Sequence, residues 1–162
     1  MTYKFKTIPS PVGALTLVAS DAGLTAILWE NDRPGRVKLG DLEEAPDHPV
    51  LAEAERQLQG YFAGERERFD VPLDFRGTDF QKRVWAALLT IPFGETRSYG
   101  EIARQIGRPS ASRAVGAANG RNPISIIAPC HRVIGTNGAL TGFAGGLAAK
   151  EALLGMERRA GG

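Results

Sequence analysis

Cysteine is nearly absent from this chain of 162 residues: there is one, with two histidines. One cysteine forms no internal disulfide, and with two histidines it cannot supply a four-ligand zinc cage. No run of about 18 apolar residues occurs, so no membrane-spanning helix is expected. The opening stretch, Met1-Thr2-Tyr3-Lys4-Phe5-Lys6, alternates polar and apolar residues and lacks the hydrophobic segment of a signal peptide. The expected setting is therefore a reducing cytoplasm. Disorder is excluded by a hydrophobic content of 43%, enough for a packed core. Net charge is also scarce, at +2, but its distribution is uneven. Residues 1–74 carry 8 Lys+Arg against 13 Asp+Glu, and residues 75–162 carry 12 against 5. Ten of those twelve cations are arginine. A basic half of this kind suits an anionic ligand, nucleic acid first among them, or else a solvated cationic face.

Two domains are expected, 1–74 and 75–162. In the first, Tyr3, Phe5 and Thr7 alternate with Lys4, Lys6 and Ile8, and Ser10-Pro11-Val12-Gly13 reads as a turn. Leu15 to Ala19 and Leu24 to Trp29 read as strands joined by a hairpin loop at Ser20-Asp21-Ala22-Gly23. Residues 31–47 read as a long polar loop. A helix opens at Asp47-His48-Pro49, and Leu51, Ala54, Leu58 and Tyr61 or Phe62 form its apolar face. Phe69, Val71 and Leu73 suggest one more short strand. The fold class is α+β: a small N-terminal antiparallel sheet with a helix, then a mostly helical domain.

That second domain opens on Thr78-x-x-Gln81, a capping box, with Phe80, Val84, Leu88 and Ile91 following on one face up to Pro92. Ser98-Tyr99-Gly100-Glu101 is a second capping box, and Gly107 with Pro109 stops its helix. Ser110 caps a third helix, Ala111 to about Asn119. Two short helices joined by a glycine-containing turn make a helix-turn-helix. The second of them is built from Ala111, Ala114, Gly116, Ala117 and Ala118, with Arg113 as its long cation. Arg97, Arg104, Arg108, Arg121 and Arg132 surround it, against one acid, Glu101. The same pattern also suits an ordinary helical pair with solvated arginines.

Ile124-Ser125-Ile126-Ile127-Ala128 reads as a buried strand leading to Pro129-Cys130-His131-Arg132-Val133. A lone cysteine is commonly a small buried hydrophobe. Here cations flank it, which favours the reactive thiolate. His131 is the one histidine of the basic half, so a nitrogen base for Cys130 has to be this residue. Glu157, near the end of a helix from about Leu147, is either the third member orienting that histidine or a surface charge. Gly135, Gly138, Gly142, Gly145 and Gly146 allow close backbone approach to a flat ligand, or form a hairpin turn at Thr136-Asn137-Gly138.

The second domain resembles the O6-alkylguanine-DNA alkyltransferases. The resemblance is carried by Pro129 to Val133, Asn122-Pro123 and Gly142-Phe143-Ala144-Gly145-Gly146-Leu147. Gly77 to Gln81, Ile91-Pro92-Phe93-Gly94, Ser98-Tyr99 and Arg113-Ala114-Val115-Gly116 also take part. It implies a ribonuclease H-like first domain and a second of helix-turn-helix, winged-helix character. The implied activity is single-turnover repair: an alkyl group passes irreversibly from O6-alkylguanine, less well O4-alkylthymine, to Cys130. The implied partner is double-stranded DNA holding O6-alkylguanine, bound by a monomer, with cooperativity along DNA left open. No cofactor, metal or membrane is implied.

The resemblance also implies residue roles. His131, supported by Glu157, takes the thiol proton through a water, and Asn122 braces the turn carrying Cys130. Arg113 fills the place of a flipped base, Tyr99 turns the 3′ phosphate and bonds the base, and Ala114, Ala117 and Ala118 fit the minor groove. Arg121 joins the DNA contacts. Val133 and Cys130 offer carbonyls to the guanine amine, and Phe143 and Ala144 line the base pocket. Phe143 stands where many members have tyrosine, and Ala144 where some have serine, which leaves the tolerance of bulky O6 groups open. A DNA-binding module without chemistry and a cysteine hydrolase are the alternatives.

Overall fold

The computed structural model describes residues 2–135, 137–138 and 142–161. The chain divides into two compact units, Met1–Arg76 and Gly77–Gly162. This boundary lies two residues beyond the expected one.

In the first unit, β1 (Thr2–Ile8), β2 (Leu15–Ala19) and β3 (Leu24–Trp29) form an antiparallel meander. The sheet order is β3-β2-β1-β4, where β4 (Asp41–Glu44) runs parallel to β1. The loop expected over residues 31–47 thus contains an edge strand, and the sheet is mixed, not purely antiparallel. β4 reads Asp-Leu-Glu-Glu and is exposed throughout, so it has no buried face to give it an alternating pattern. Acidic side chains on an edge also discourage pairing with another chain. Tyr3, Val18 and Ala26 are buried on one sheet face beneath Val37 and Leu39. The pleat turns their neighbours Leu17 and Ile27 to the opposite face, and α1 (Pro49–Phe62) packs on this sheet.

The start of α1 follows from its cap: His48 Nδ1 accepts the Val50 N–H at 3.2 Å, and Pro49 needs no donor partner. Leu51, Ala54, Leu58 and Tyr61 are its buried stripe; Phe62 is only half-buried. The expected strand at Phe69–Leu73 reduces to one parallel bridge between Leu73 and Leu24. There the chain presses on the β2–β3 turn. A Cβ at Gly23 would lie 2.6 Å from the Pro72 carbonyl oxygen, so only glycine fits.

In the second unit, both capping boxes close as the sequence predicts. Thr78 Oγ1 accepts from Gln81 N at 3.1 Å while Thr78 N donates to Gln81 Oε1 at 2.9 Å, starting α2 (Asp79–Leu88). Ser98 and Glu101 do the same for α3 (Tyr99–Gln105). α2 ends three residues before the expected stop at Ile91: Thr90 Oγ1 donates to the Ala87 carbonyl, and the chain turns before Pro92. Ile91 remains buried outside the helix.

α3 ends in a Schellman motif. Arg108 N donates to Ala103 O at 2.8 Å and Gly107 N to Arg104 O at 3.0 Å, with Gly107 at φ +80°. α4 (Ser112–Gly120) follows, capped at Ala111 without a side-chain bond, so the expected Ser110 cap is not formed. The second unit also contains a two-stranded parallel sheet, β5 (Arg97–Ser98) with β6 (Val133–Ile134), and closes with α5 (Leu147–Gly161).

Candidate active site

Ile124 to Ala128 form a buried turn and not the strand their apolar run suggests. The segment bonds to itself: Ala128 N donates to Ile124 O at 3.0 Å and Ile127 N to Ser125 O at 2.8 Å. Ile126 takes a left-handed φ of +74° while fully buried, a strained conformation for a β-branched residue. Asn122 spans this turn. Its Nδ2 donates to the Ala128 carbonyl at 2.8 Å and its Oδ1 accepts the Ile124 N–H at 3.1 Å. These bonds fix where Cys130 emerges.

Cys130 begins a single 3-10 turn, Cys130–Arg132, and is 3% exposed. β6 follows at once, and its pairing partner β5 leads directly into Tyr99. A two-residue ladder therefore sets the Cys130 turn and the start of α3 side by side. Tyr99 lies against Gly116 of α4: a Cβ there would come within 3.7 Å of Tyr99 Cδ1.

His131 is fully buried, and its Nε2 lies 2.8 Å from Glu157 Oε2. Glu157 also accepts Arg132 Nε at 2.8 Å on Oε1 and Arg132 Nη2 at 2.9 Å on Oε2. Arg132 Nη1 donates to the Ile91 carbonyl at 2.7 Å. A carboxylate in a bidentate guanidinium clamp stays ionised and accepts only, so the proton shared with His131 sits on Nε2. Burial pushes the His131 pKa down, against the upward pull of Glu157; Arg132 and Lys150 add to the lowering. The imidazole is thus neutral, with a lone pair on Nδ1, which has no hydrogen-bond partner among the described residues. Phe143 meets the same ring edge-on, at 6.5 Å between centroids. Together these supply a buried thiol and a neutral base whose tautomer is fixed by an ionised carboxylate.

On α4, Arg113, Ala114 and Ala117 are exposed along one face, with Arg121 exposed just after the helix. Ala118 does not join them. It is 3% exposed and its carbonyl accepts Trp85 Nε1 at 2.9 Å, so it belongs to the α2–α4 packing. Arg132, counted among the surrounding surface cations, is buried in the Glu157 clamp. Val133 is buried and its carbonyl accepts Lys150 Nζ at 2.7 Å. Ala144 is half-buried. Thr136 and part of the glycine-rich segment lie outside the described residues.

Two groups escaped the sequence reading: Lys150, and Arg132 as a Glu157 partner. Lys150 stands seven residues before Glu157, two helical turns along one face, amid Ala149, Leu153 and Leu154. A lysine in such a stripe was the available signal.

The 6-O-methylguanine DNA methyltransferase DNA-binding domain matches residues 79–159. The ribonuclease-like domain of the same family matches residues 3–75. This chain belongs to the 6-O-methylguanine DNA methyltransferase family. A relative from Mycobacterium bovis named methylated-DNA--protein-cysteine methyltransferase is 56% identical over 156 residues, covering 95% of this chain and 92% of the relative. One of the same name from Methanosarcina acetivorans is 55% identical over 153 residues, covering 91% and 94%. Among family members of solved structure, Mycobacterium tuberculosis OGT in complex with DNA superposes with a TM-score of 0.86 at 54% identity, covering 99% of this chain and 94% of that one.

Proposed function

We propose that this chain repairs O6-alkylguanine in double-stranded DNA, transferring the alkyl group irreversibly to Cys130, once per molecule; O4-alkylthymine is the poorer substrate. The observation that carries the assignment of roles is the Cys130-His131-Glu157 arrangement, in which a neutral imidazole turns away from its carboxylate an Nδ1 that has no hydrogen-bond partner among the described residues.

The target carbon is out of reach while its base is stacked, so the nucleotide is extruded from the duplex toward Cys130. The α4 face of Arg113, Ala114 and Ala117 is small enough for a narrow groove, with Arg113 as the side chain that fills the vacated stack. Tyr99 and Arg121 contact the DNA around it. The His131 Nδ1 takes the Cys130 proton through a water, and Glu157 supports the imidazolium that forms. The sulfur attacks the alkyl carbon in line: the S–C bond forms, the C–O bond breaks, and the guanine leaves with the bond's electron pair and takes up a proton. Asn122 keeps the Cys130 turn in register. The carbonyls of Cys130 and Val133 face the guanine amine, and Phe143 and Ala144 wall the pocket; with alanine at 144, its backbone N–H is the donor there. A thioether does not hydrolyse, so the protein is consumed. The thiol chemistry fits a reducing cytoplasm with access to chromosomal DNA.

The test is a titration of duplex DNA containing O6-methylguanine. One guanine should be regenerated per protein molecule, none by Cys130→Ala, and the variant should still bind the duplex. Repeated turnover on an ester or amide, with the lesion untouched, is the result expected of a cysteine hydrolase and would overturn the proposal.

A further inference from the structure

Asn119 is buried on α4 with Val115 and Ala118, and only 6% of it is exposed. Its side-chain Nδ2 donates to the Cys130 carbonyl at 3.5 Å. That bond turns the other end of the amide, Oδ1, away from the carbonyl. There Oδ1 is buried without a hydrogen-bond partner among the described residues. A buried acceptor in this state has lost its hydration for nothing, so a donor brought to it binds well. The backbone of the same residue is used: its carbonyl accepts the Asn122 N–H at 3.2 Å, beside the side chain that spans the Cys130 turn.

An extruded O6-alkylguanine brings such a donor. Its 2-amino group carries two N–H bonds, and each needs an acceptor once the base has left its pair. The Cys130 carbonyl is already taken twice, by the Val133 N–H and by Asn119 Nδ2, and a carbonyl oxygen has two lone pairs. The Val133 carbonyl already accepts Lys150 Nζ at 2.7 Å. These two carbonyls therefore leave the amine short of an acceptor.

We propose that Asn119 is a specificity-determining residue of the base site: its Oδ1 accepts one hydrogen of the guanine 2-amino group. The inference rests on the repair reading, and it adds selection for purines that carry an amine at C2. Cys130 is itself 3% exposed, so a base that reaches the sulfur has to open the site, and the amide bonded to the Cys130 carbonyl lies beside that opening.

The test is single-turnover transfer from duplexes holding O6-methylguanine or O6-methylhypoxanthine, which differ only in the 2-amino group, by wild type and Asn119→Leu. The variant should be slowed about tenfold on O6-methylguanine and less than about twofold on O6-methylhypoxanthine, the effect of one hydrogen bond. Equal losses on both lesions, or none on either, overturn the proposal, because a purely structural asparagine does not sense the amine. Should Asn119→Leu not fold, the Asn119 side-chain amide is followed by nitrogen NMR in Cys130→Ala, which holds either lesion without reacting. Its resonance should differ between the two complexes, and the same position in both overturns the proposal. A wild type that transfers from neither lesion defeats the repair reading and this inference with it. A wild type that repairs O6-methylguanine, beside an Asn119→Leu that loses both lesions equally, defeats the inference alone.

Discussion

The Glu157 carboxylate neutralises Arg132 and fixes the His131 tautomer at once, so its removal has two separable effects. Glu157→Ala leaves a buried guanidinium without its charge partner, and losing one member of a buried pair costs about 3–5 kcal/mol. Urea unfolding of the variant should show that loss, and transfer should slow further than the unfolded fraction explains. His131 adds a pH dependence whose sign follows from its lowered pKa. The folded protein holds this imidazole neutral where the unfolded chain would protonate it. Its contribution to stability is complete above the ordinary histidine value of 6.5 and is lost as pH falls below it, toward the folded-state value. Urea midpoints should therefore fall between pH 7 and pH 5.5, and His131→Gln should flatten that decline. At this scale the sequence exposed Cys130 and His131 through a contiguous motif, Glu157 as one of two readings of a helix-borne acid, and Asn122 through the family resemblance. It concealed Lys150 and the Arg132 clamp, since both depend on which face of α5 meets the Cys130 turn.

Among the elements, those announced by local chemistry were legible. The capping boxes at Thr78 and Ser98, the His48-Pro49 helix start and the Gly107 stop each bring their own hydrogen-bond partners within a few residues. Elements defined by distant pairing were not. β4 is a strand because β1 pairs with it, and its exposed acidic residues carry no sign of that. Ile124 to Ala128 is apolar because it is buried, and burial alone does not separate a strand from a self-bonded turn. The Schellman motif at Gly107 sets the angle at which α4 leaves α3, and it supports a direct test. Gly107→Ala forces a side chain into a left-handed residue and should cost about 1 kcal/mol. Calorimetry reads the stability loss; duplex affinity should drop with it, while alkylation by free O6-benzylguanine is kept at temperatures where the variant is folded. An unchanged melting temperature would contradict the role given to this turn.

Over the whole molecule the small net charge hides a division of labour. With the boundary after Arg76, the first unit carries −4 and the second +6, so the net +2 describes neither. Duplex binding should weaken on a straight log–log line as salt rises, with a slope near −0.9 for each phosphate neutralised. Arg113→Ala should slow repair in duplex DNA more than reaction with free O6-benzylguanine, since the free base leaves no gap in a stack; equal losses on both substrates would refute the finger role. The single cysteine, too small a resource for a disulfide or a zinc site, carries the sulfur proposed to accept the alkyl group. The most direct test of that role is the mass of the Cys130 peptide after the protein meets duplex DNA containing O6-methylguanine. One added methyl group per chain is expected, on Cys130 alone, matched by one regenerated guanine. A Cys130 peptide of unchanged mass, from protein that had bound the duplex tightly, would contradict it.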